Sequence, residues 1–331
     1  MKSIQSKTNC KLDIGSKSSQ YSIYDYHYDD IKKLNSIPSN VSNIYISTDD
    51  GTEYLHTLIS ASQSVTMLVG CRTFKYGLPV PLRYLQLDYN FDEPLLYLED
   101  DSNQEIPPGV LPDLLRTITL YSYPYEIPQG VLPKSLHTIN LYSYQYDILP
   151  GALPNGLRKL SLYHYHNEIQ LNLLPNSLRT INLYSYQHEI RPCVLPNGVL
   201  EFNLHSHEYD IRPGVLPDGL QKITIIKYKH EIQPGVLPSS LKILFVDEIF
   251  PETMRYHLEV LEFKKHIMPQ IPSNIKIDKL KLTAELGKSV ISLPSGVKSI
   301  NFFMDLSNSK DKIIDFGGVV EITTAHIDHV H

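Results

Sequence analysis

A Leu-Pro dipeptide returns every 21 residues, seven times without slip: Leu111-Pro112, Leu132-Pro133, Leu153-Pro154, Leu174-Pro175, Leu195-Pro196, Leu216-Pro217 and Leu237-Pro238. A fixed period of this length means stacked copies of one small unit, so the chain is a solenoid. That also limits the functional reading. Repeats spread their residues along a surface and rarely gather them into a catalytic site.

One unit runs from Glu126 to Tyr146, EIPQGVLPKSLHTINLYSYQY, and its neighbours repeat it with small edits. The LxxIxL segment supplies a strand. Leu115, Ile118 and Leu120 recur as Leu136, Ile139 and Leu141, then as Leu157, Leu160 and Leu162, then as Leu178, Ile181 and Leu183. Alternate strand residues face opposite sides, so Ile118 and Leu120 point inward while Thr117, Thr119 and Tyr121 point outward. Leu115 enters the core from the turn before the strand. Successive strands stack as a parallel sheet at roughly 4.8 Å each. The return segment holds two prolines and usually a glycine, which exclude an α-helix. An extended, polyproline-like return is predicted, with Ile127, Val131 and Leu132 filling the other half of the coil. The fold class is therefore mostly β: a leucine-rich-repeat-like solenoid of 21-residue coils, with a parallel β-sheet and little helix.

Poorer copies flank the regular block. Ile37-Pro38-Ser39-Asn40-Val41 leads to Ile44 and Ile46, and Pro81-Leu82 leads to Leu85 and Leu87. Beyond the block come Leu258, Leu261 and Phe263, then Ile277, Leu280 and Leu282, then Leu293-Pro294 with Ile300 and Phe302. Four regions follow: a disordered tail over 1–20, irregular repeats and a cap over 21–104, regular repeats over 105–246, and degenerate repeats with a cap over 247–331. Residues 50–62 predict a short helix, with Asp50 as N-cap and Leu55, Leu58 and Ile59 on one face.

Charge and cysteine usage narrow the partners. A net charge of −6 with no basic block argues against broad nucleic-acid or anionic-membrane binding. No apolar run is long enough to span a membrane, and the first twenty residues lack the apolar core of a secretory signal. Cys10, Cys71 and Cys193 are few and far apart, which suits a reducing intracellular compartment and gives no metal-ligand spacing. Nucleotide and hydrolase motifs are absent, and no cofactor is expected. The tail residues His326, Asp328, His329 and His331 are read as a solvated end rather than a metal site.

Three ladders run along the repeat. The acidic one is Glu105, Glu126, Asp147, Glu168, Glu189, Asp210 and Glu231. Carboxylates about 5 Å apart repel by roughly 0.8 kcal/mol per pair at water's dielectric, so something must offset them. Backbone amides, or Arg191 and Arg212 two residues after Glu189 and Asp210, are the expected partners. The aromatic ladder has two columns: Tyr121, Tyr142, Tyr163 and Tyr184, and Tyr123, Tyr144, Tyr165, Tyr186 and Tyr228. Stacking between coils with hydroxyls at the solvent edge is one reading, and a binding strip is the other. The polar ladder is Thr119, Asn140, Ser161, Asn182, Asn203 and Thr224, on the outward strand face beside Arg116, His137, Arg158 and Arg179. Histidines such as His164, His166, His188, His205, His207 and His230 read as substitutions in repeat columns.

The run I-x-P-G-V-L-P-x-x-L-x-x-L/I-x-L, at Ile127 to Leu141 and Ile211 to Ile225, resembles the FNIP repeat of amoebal and giant-virus proteins. The likeness is strong across 105–246 and weaker on both flanks. The name-giving Phe-Asn-x-Pro-Ile is not kept: Tyr123, Tyr144 and Tyr186 stand about where the Phe would be. The resemblance implies a leucine-rich-repeat-like interaction protein. Some members carry an F-box, but residues 21–75 lack its pattern. The expectation is a non-enzymatic scaffold that binds a protein, of unknown identity, through the strand face: Arg116, Thr119, Tyr121, His137, Asn140, Tyr142, Arg158, Tyr163, Arg179, Asn182 and Tyr184. Two rivals stand beside it. One is a β-helix enzyme acting on polysaccharide through the acidic irregularity at 88–101. The other is a structural component of a larger assembly.

Overall fold

A computed structural model gives the fold. It describes residues 10–14, 22–26, 35–46, 52–71, 73–87, 106–230, 232–246, 257–263, 276–283, 299–304 and 321–326. The chain forms two compact units, residues 1–167 and 168–331.

In the first unit, β1 (Cys10–Ile14) lies antiparallel between β2 (Ser22–Tyr26) and β3 (Asn43–Ile46). Helix α1 (Thr52–Ser60) follows, then β4 (Met67–Cys71), β5 (Tyr84–Leu87), β6 (Thr117–Tyr121), β7 (Thr138–Tyr142) and β8 (Lys159–Tyr163). From β3 onward each strand pairs in parallel with the next. The second unit holds β9 (Thr180–Tyr184), β10 (Glu201–His205), β11 (Lys222–Ile226), β12 (Ile243–Val246), β13 (His257–Phe263), β14 (Lys276–Thr283), β15 (Ser299–Met304) and β16 (Glu321–His326), again parallel throughout.

The period sets the register. Ile118 pairs with Ile139 and Leu120 with Leu141, then Ile139 with Leu160 and Leu141 with Leu162, so equal side chains stack on equal side chains. Leu115, Leu136 and Leu157 are fully buried, as the turn before each strand was predicted to place them. Ile127, Val131 and Leu132 are buried in the return. Each such aliphatic contributes roughly 1.5–3 kcal/mol of transfer free energy, and a single coil has too few of them to close a core alone.

The return departs from a continuous polyproline run. It is built of tight turns, with Leu136 N–H donating to Pro133 O at 3.0 Å and Ala152 N–H to Leu149 O at 3.0 Å. Proline has no N–H but offers its carbonyl, so the Leu-Pro proline opens the turn before each regular strand as the acceptor. At the strand's other end the chain enters the left-handed region, with φ of 45° at Ser122 and 52° at Ser143. That rotation swings each N–H onto the next strand: Ser122 donates to Tyr142 O and Ser143 to Tyr163 O, both at 2.7 Å.

The flanks add three findings. Cys10–Ile14 is a strand, although the sequence predicted disorder over 1–20. Strand β4 falls where no repeat copy was read, and it breaks the leucine pattern with a register shift between Val69 and Cys71. Gly70 sits in that shift at φ 79°, and a Cβ there would strike the Ile46 carbonyl oxygen, so only glycine fits. Helix α1 buries Leu55, Leu58 and Ile59, as its spacing predicted, while Asp50 lies outside the described residues. No helix among the described residues is long and apolar enough to cross a membrane.

Candidate functional site

The two tyrosine columns part company in the structure. Side chains of Tyr123, Tyr144, Tyr165 and Tyr186 are about 99% buried. The chain turns inward after a left-handed residue, Ser122, Ser143, His164 or Ser185, which carries the second tyrosine under the sheet. Each hydroxyl accepts the amide of the isoleucine seventeen residues earlier: Ile106 to Tyr123 at 2.7 Å, Ile127 to Tyr144 at 3.0 Å, Ile148 to Tyr165 at 3.1 Å, Ile169 to Tyr186 at 2.9 Å and Ile211 to Tyr228 at 2.8 Å. These phenols satisfy backbone donors in the core. The expected solvent-edge hydroxyls are therefore corrected for this column. Burial pushes the Tyr165 phenol up to about 12 and raises those of Tyr144 and Tyr228 as well, against the partial lowering by the amide each accepts.

The first column stays on the outward face. In the first unit Tyr121 stacks on Tyr142 at 4.4 Å and Tyr142 on Tyr163 at 4.0 Å, all three half-buried. In the second unit Tyr184 stacks on His205 at 4.4 Å. Coil stacking fixes these rings face to face, so their edges are the part turned outward.

The polar ladder shares that face by strand alternation, yet flanking rows cover much of it. Thr119, Ser161 and Asn182 are buried, while Asn140, Asn203 and Thr224 are half-buried. Asn140 Nδ2 donates to Thr119 Oγ1 at 3.1 Å, and Asn203 Nδ2 to Asn182 Oδ1 at 2.7 Å. Thr119 and Asn182 thus order the ladder and present little to a partner, unlike the open contact their alternation predicted.

Of the cationic row, Arg116, Arg158 and Arg179 are exposed and His137 is half-buried. Arg116 Nη1 donates to Ser135 O at 3.1 Å, the carbonyl that His137 Nδ1 also reaches at 2.5 Å. Arg179 Nη1 lies within 3.2 Å of the carbonyls of Asn176, Leu178 and Gly198. Arg116 and Arg179 thus tie one coil's turn to the next while keeping their charge at the surface.

Three members of the acidic ladder find partners one coil away. Arg191 pairs with Glu168 at 2.6 Å, Arg212 with Glu189 at 3.2 Å and His230 Nδ1 with Asp210 at 3.0 Å. The predicted pairing within a turn was wrong, because a parallel stack brings the preceding coil closer than the residue's own turn allows. Glu105, Glu231 and the acidic segment 88–101 lie outside the described residues, as do His329 and His331. Among the described residues no three His, Cys, Asp or Glu side chains are placed to hold a metal ion.

One strand per coil, parallel pairing and a turn-rich return define a β-solenoid of the leucine-rich-repeat kind. The FNIP Repeat family model matches at residues 103–144, 126–164, 144–185, 165–207 and 209–246, so this stretch of the chain is an array of FNIP repeats. No curated protein matches the chain. Among solved structures it is similar to CroV588, described as a novel circular LRR protein. The identity is 19% and the TM-score 0.42, over 78% of this chain and 50% of that one. The chain thus spans about half the length of that protein.

Proposed function

We propose that this chain is a non-enzymatic scaffold that binds a protein partner through the outward strand face. The contact residues are Arg116, Tyr121, His137, Tyr142, Arg158 and Tyr163 in the first unit, with Arg179 and Tyr184 on the corresponding face of the second. The carrying observation is the division of labour between the tyrosine columns. The inner column does the structural work of satisfying backbone amides. The outer column stays half-exposed beside a row of arginines and His137. Tyrosine and arginine together supply large, rigid contact area and charge-assisted bonds, the mix enriched where binding energy concentrates. The exposed free thiol of Cys193 suits work inside the cell, where thiols stay reduced.

The test is capture of partners from cell lysate by the full chain and by a Tyr142→Ala/Tyr163→Ala variant. The variant is expected to lose a specific partner while keeping its far-ultraviolet circular dichroism. A folded variant that retains every specific partner would remove the face from consideration.

A further inference from the structure

The two units handle charge differently. In the second, four cations are zipped to carboxylates on neighbouring coils, Arg191 to Glu168, Arg212 to Glu189, Lys222 to Glu201 at 2.6 Å and Lys229 to Glu208 at 3.5 Å, while Arg179 donates to carbonyls. In the first, Arg83, Arg116, His137 and Arg158 occupy the position just before four consecutive strands. Arg116 N–H donates to Arg83 O, His137 N–H to Arg116 O and Arg158 N–H to His137 O, each at 2.8 Å. Arg83, Arg116, Arg158 and the adjoining Lys159 are exposed, and none has a carboxylate partner among the described residues. The outward positions of β5 to β8 are Tyr84 and Gln86, Thr117, Thr119 and Tyr121, Thr138, Asn140 and Tyr142, then Lys159, Ser161 and Tyr163. None is acidic, in a chain whose net charge is −6. Among the described residues the turn before β6 carries Asp113, and Lys134 takes that place one coil on.

We propose that this face of the first unit is a docking strip for an acidic polypeptide segment, lying extended across β5 to β8. The proposal rests on the strand-face reading above and names its partner's chemistry. Arg83, Arg116, Arg158 and Lys159, spread over strands roughly 4.8 Å apart, offer positive charge to the carboxylates of such a segment, and His137 adds a ring nitrogen between them. The tyrosine column works in the same sense, because an aromatic ring is positive at its edge and these rings turn their edges outward. The same stacking argues against single-stranded nucleic acid. Bases bind by stacking on aromatic faces, and the faces of Tyr142 are covered by Tyr121 and Tyr163 at 4.4 and 4.0 Å.

The test uses fluorescence anisotropy of the full chain with three labelled probes: a Glu/Gly peptide, a Gln/Gly peptide and oligothymidylate. A peptide of about eight residues suffices, at 3.3 Å per residue, to cross the four strands. The Glu/Gly peptide is expected to bind, to weaken severalfold as salt rises and the Debye length shortens, and to be preferred over both others. Arg116→Gln/Arg158→Gln/Lys159→Gln is expected to weaken it about tenfold, since exposed charge pairs contribute modestly each. Because Arg116 also holds a turn, Arg158→Glu/Lys159→Glu leaves it in place and is expected to abolish binding. Lys229→Gln in the second unit is expected to change nothing. Unchanged binding by the charge-reversed variant, or preference for the Gln/Gly peptide or oligothymidylate, overturns the proposal. A cellular partner lost with the tyrosine variant but kept with Arg158→Glu/Lys159→Glu would overturn the acidic partner and leave the strand-face reading standing.

Discussion

A buried phenol whose oxygen accepts a backbone amide should matter more than a half-exposed one that only stacks. Tyr144→Phe keeps the ring and strands the Ile127 N–H without its acceptor. Leaving a buried donor unsatisfied costs about 1–3 kcal/mol, whereas Tyr142→Phe on the outer face should stay within about 0.5 kcal/mol. Urea midpoints at unchanged slope check the pair, and equal effects would refute the division between the columns. The natural variant of this column is His207. It is 1% exposed, its Nδ1 lies 3.0 Å from Tyr186 O, and its Nε2 has no partner. An imidazole has no hydroxyl to offer Ile190, seventeen residues earlier. Burial lowers the basicity of His207, His230 lowers it further, and the Tyr186 carbonyl and Glu208 raise it. Its folded value therefore lies below its unfolded one of about 6.5. The neutral form's contribution to stability is present above that pH and is lost as pH falls toward the folded value. His207→Tyr should raise the urea midpoint and flatten its fall between pH 7 and pH 5. A residual fall is expected from His56, which burial lowers to about 4. A variant whose midpoint drops as steeply as the parent's would assign the acid sensitivity elsewhere. The text of the repeat shows His207 as a tyrosine replacement. It does not show that the column is interior, because two tyrosines two residues apart look equivalent until the left-handed residue between them is seen.

At the scale of the element, what was legible was what repeats by alternation. Ile118 and Leu120 inward, Thr117 and Tyr121 outward, and Leu115 entering from the turn all follow from a strand's period of two. The poorer copies at Ile44, Leu85 and Leu261 were legible for the same reason. Neighbour effects were not. Thr119 faces outward by alternation and is still buried, because rows packed at the strand spacing cover a short side chain between longer ones. Glu189 takes Arg212 from the following coil instead of Arg191 from its own turn, a choice made by the rise between coils and not by sequence distance. Strand β4 is not legible in the sequence because Met67–Cys71 lacks the leucine spacing, and Gly70 marks a register shift found in no other pairing among the described residues. The candidate site divides in the same way. Its residues could be named from the columns, but which of them reach solvent could not.

At the scale of the whole molecule, a stack of like coils predicts that one coil can be removed if the register survives. Deleting 138–158 joins His137 to Lys159 and takes out one full period of 21 residues. Every column is preserved: Leu136 still precedes the strand by the usual interval, Leu160 and Leu162 still face inward, and Tyr163 falls where Tyr142 stood. Nearest-neighbour stacking then re-forms between β6 and the joined strand. Deleting 138–157 instead leaves Arg158 as one extra residue between turn and strand. A slip of one residue turns a strand's inward set outward, so either the strand bulges or Leu160 and Leu162 leave the core. Each displaced leucine forfeits roughly 1.5–3 kcal/mol. The 21-residue deletion is expected to unfold cooperatively in urea at a modestly lower midpoint, and the 20-residue deletion several kcal/mol lower or not to fold. Similar midpoints for the two would mean that the returns absorb a stray residue freely, and that side-chain columns do not set the register of the stack. A lower midpoint for the shorter deletion, although it removes less chain, can arise only if column identity carries stability from coil to coil.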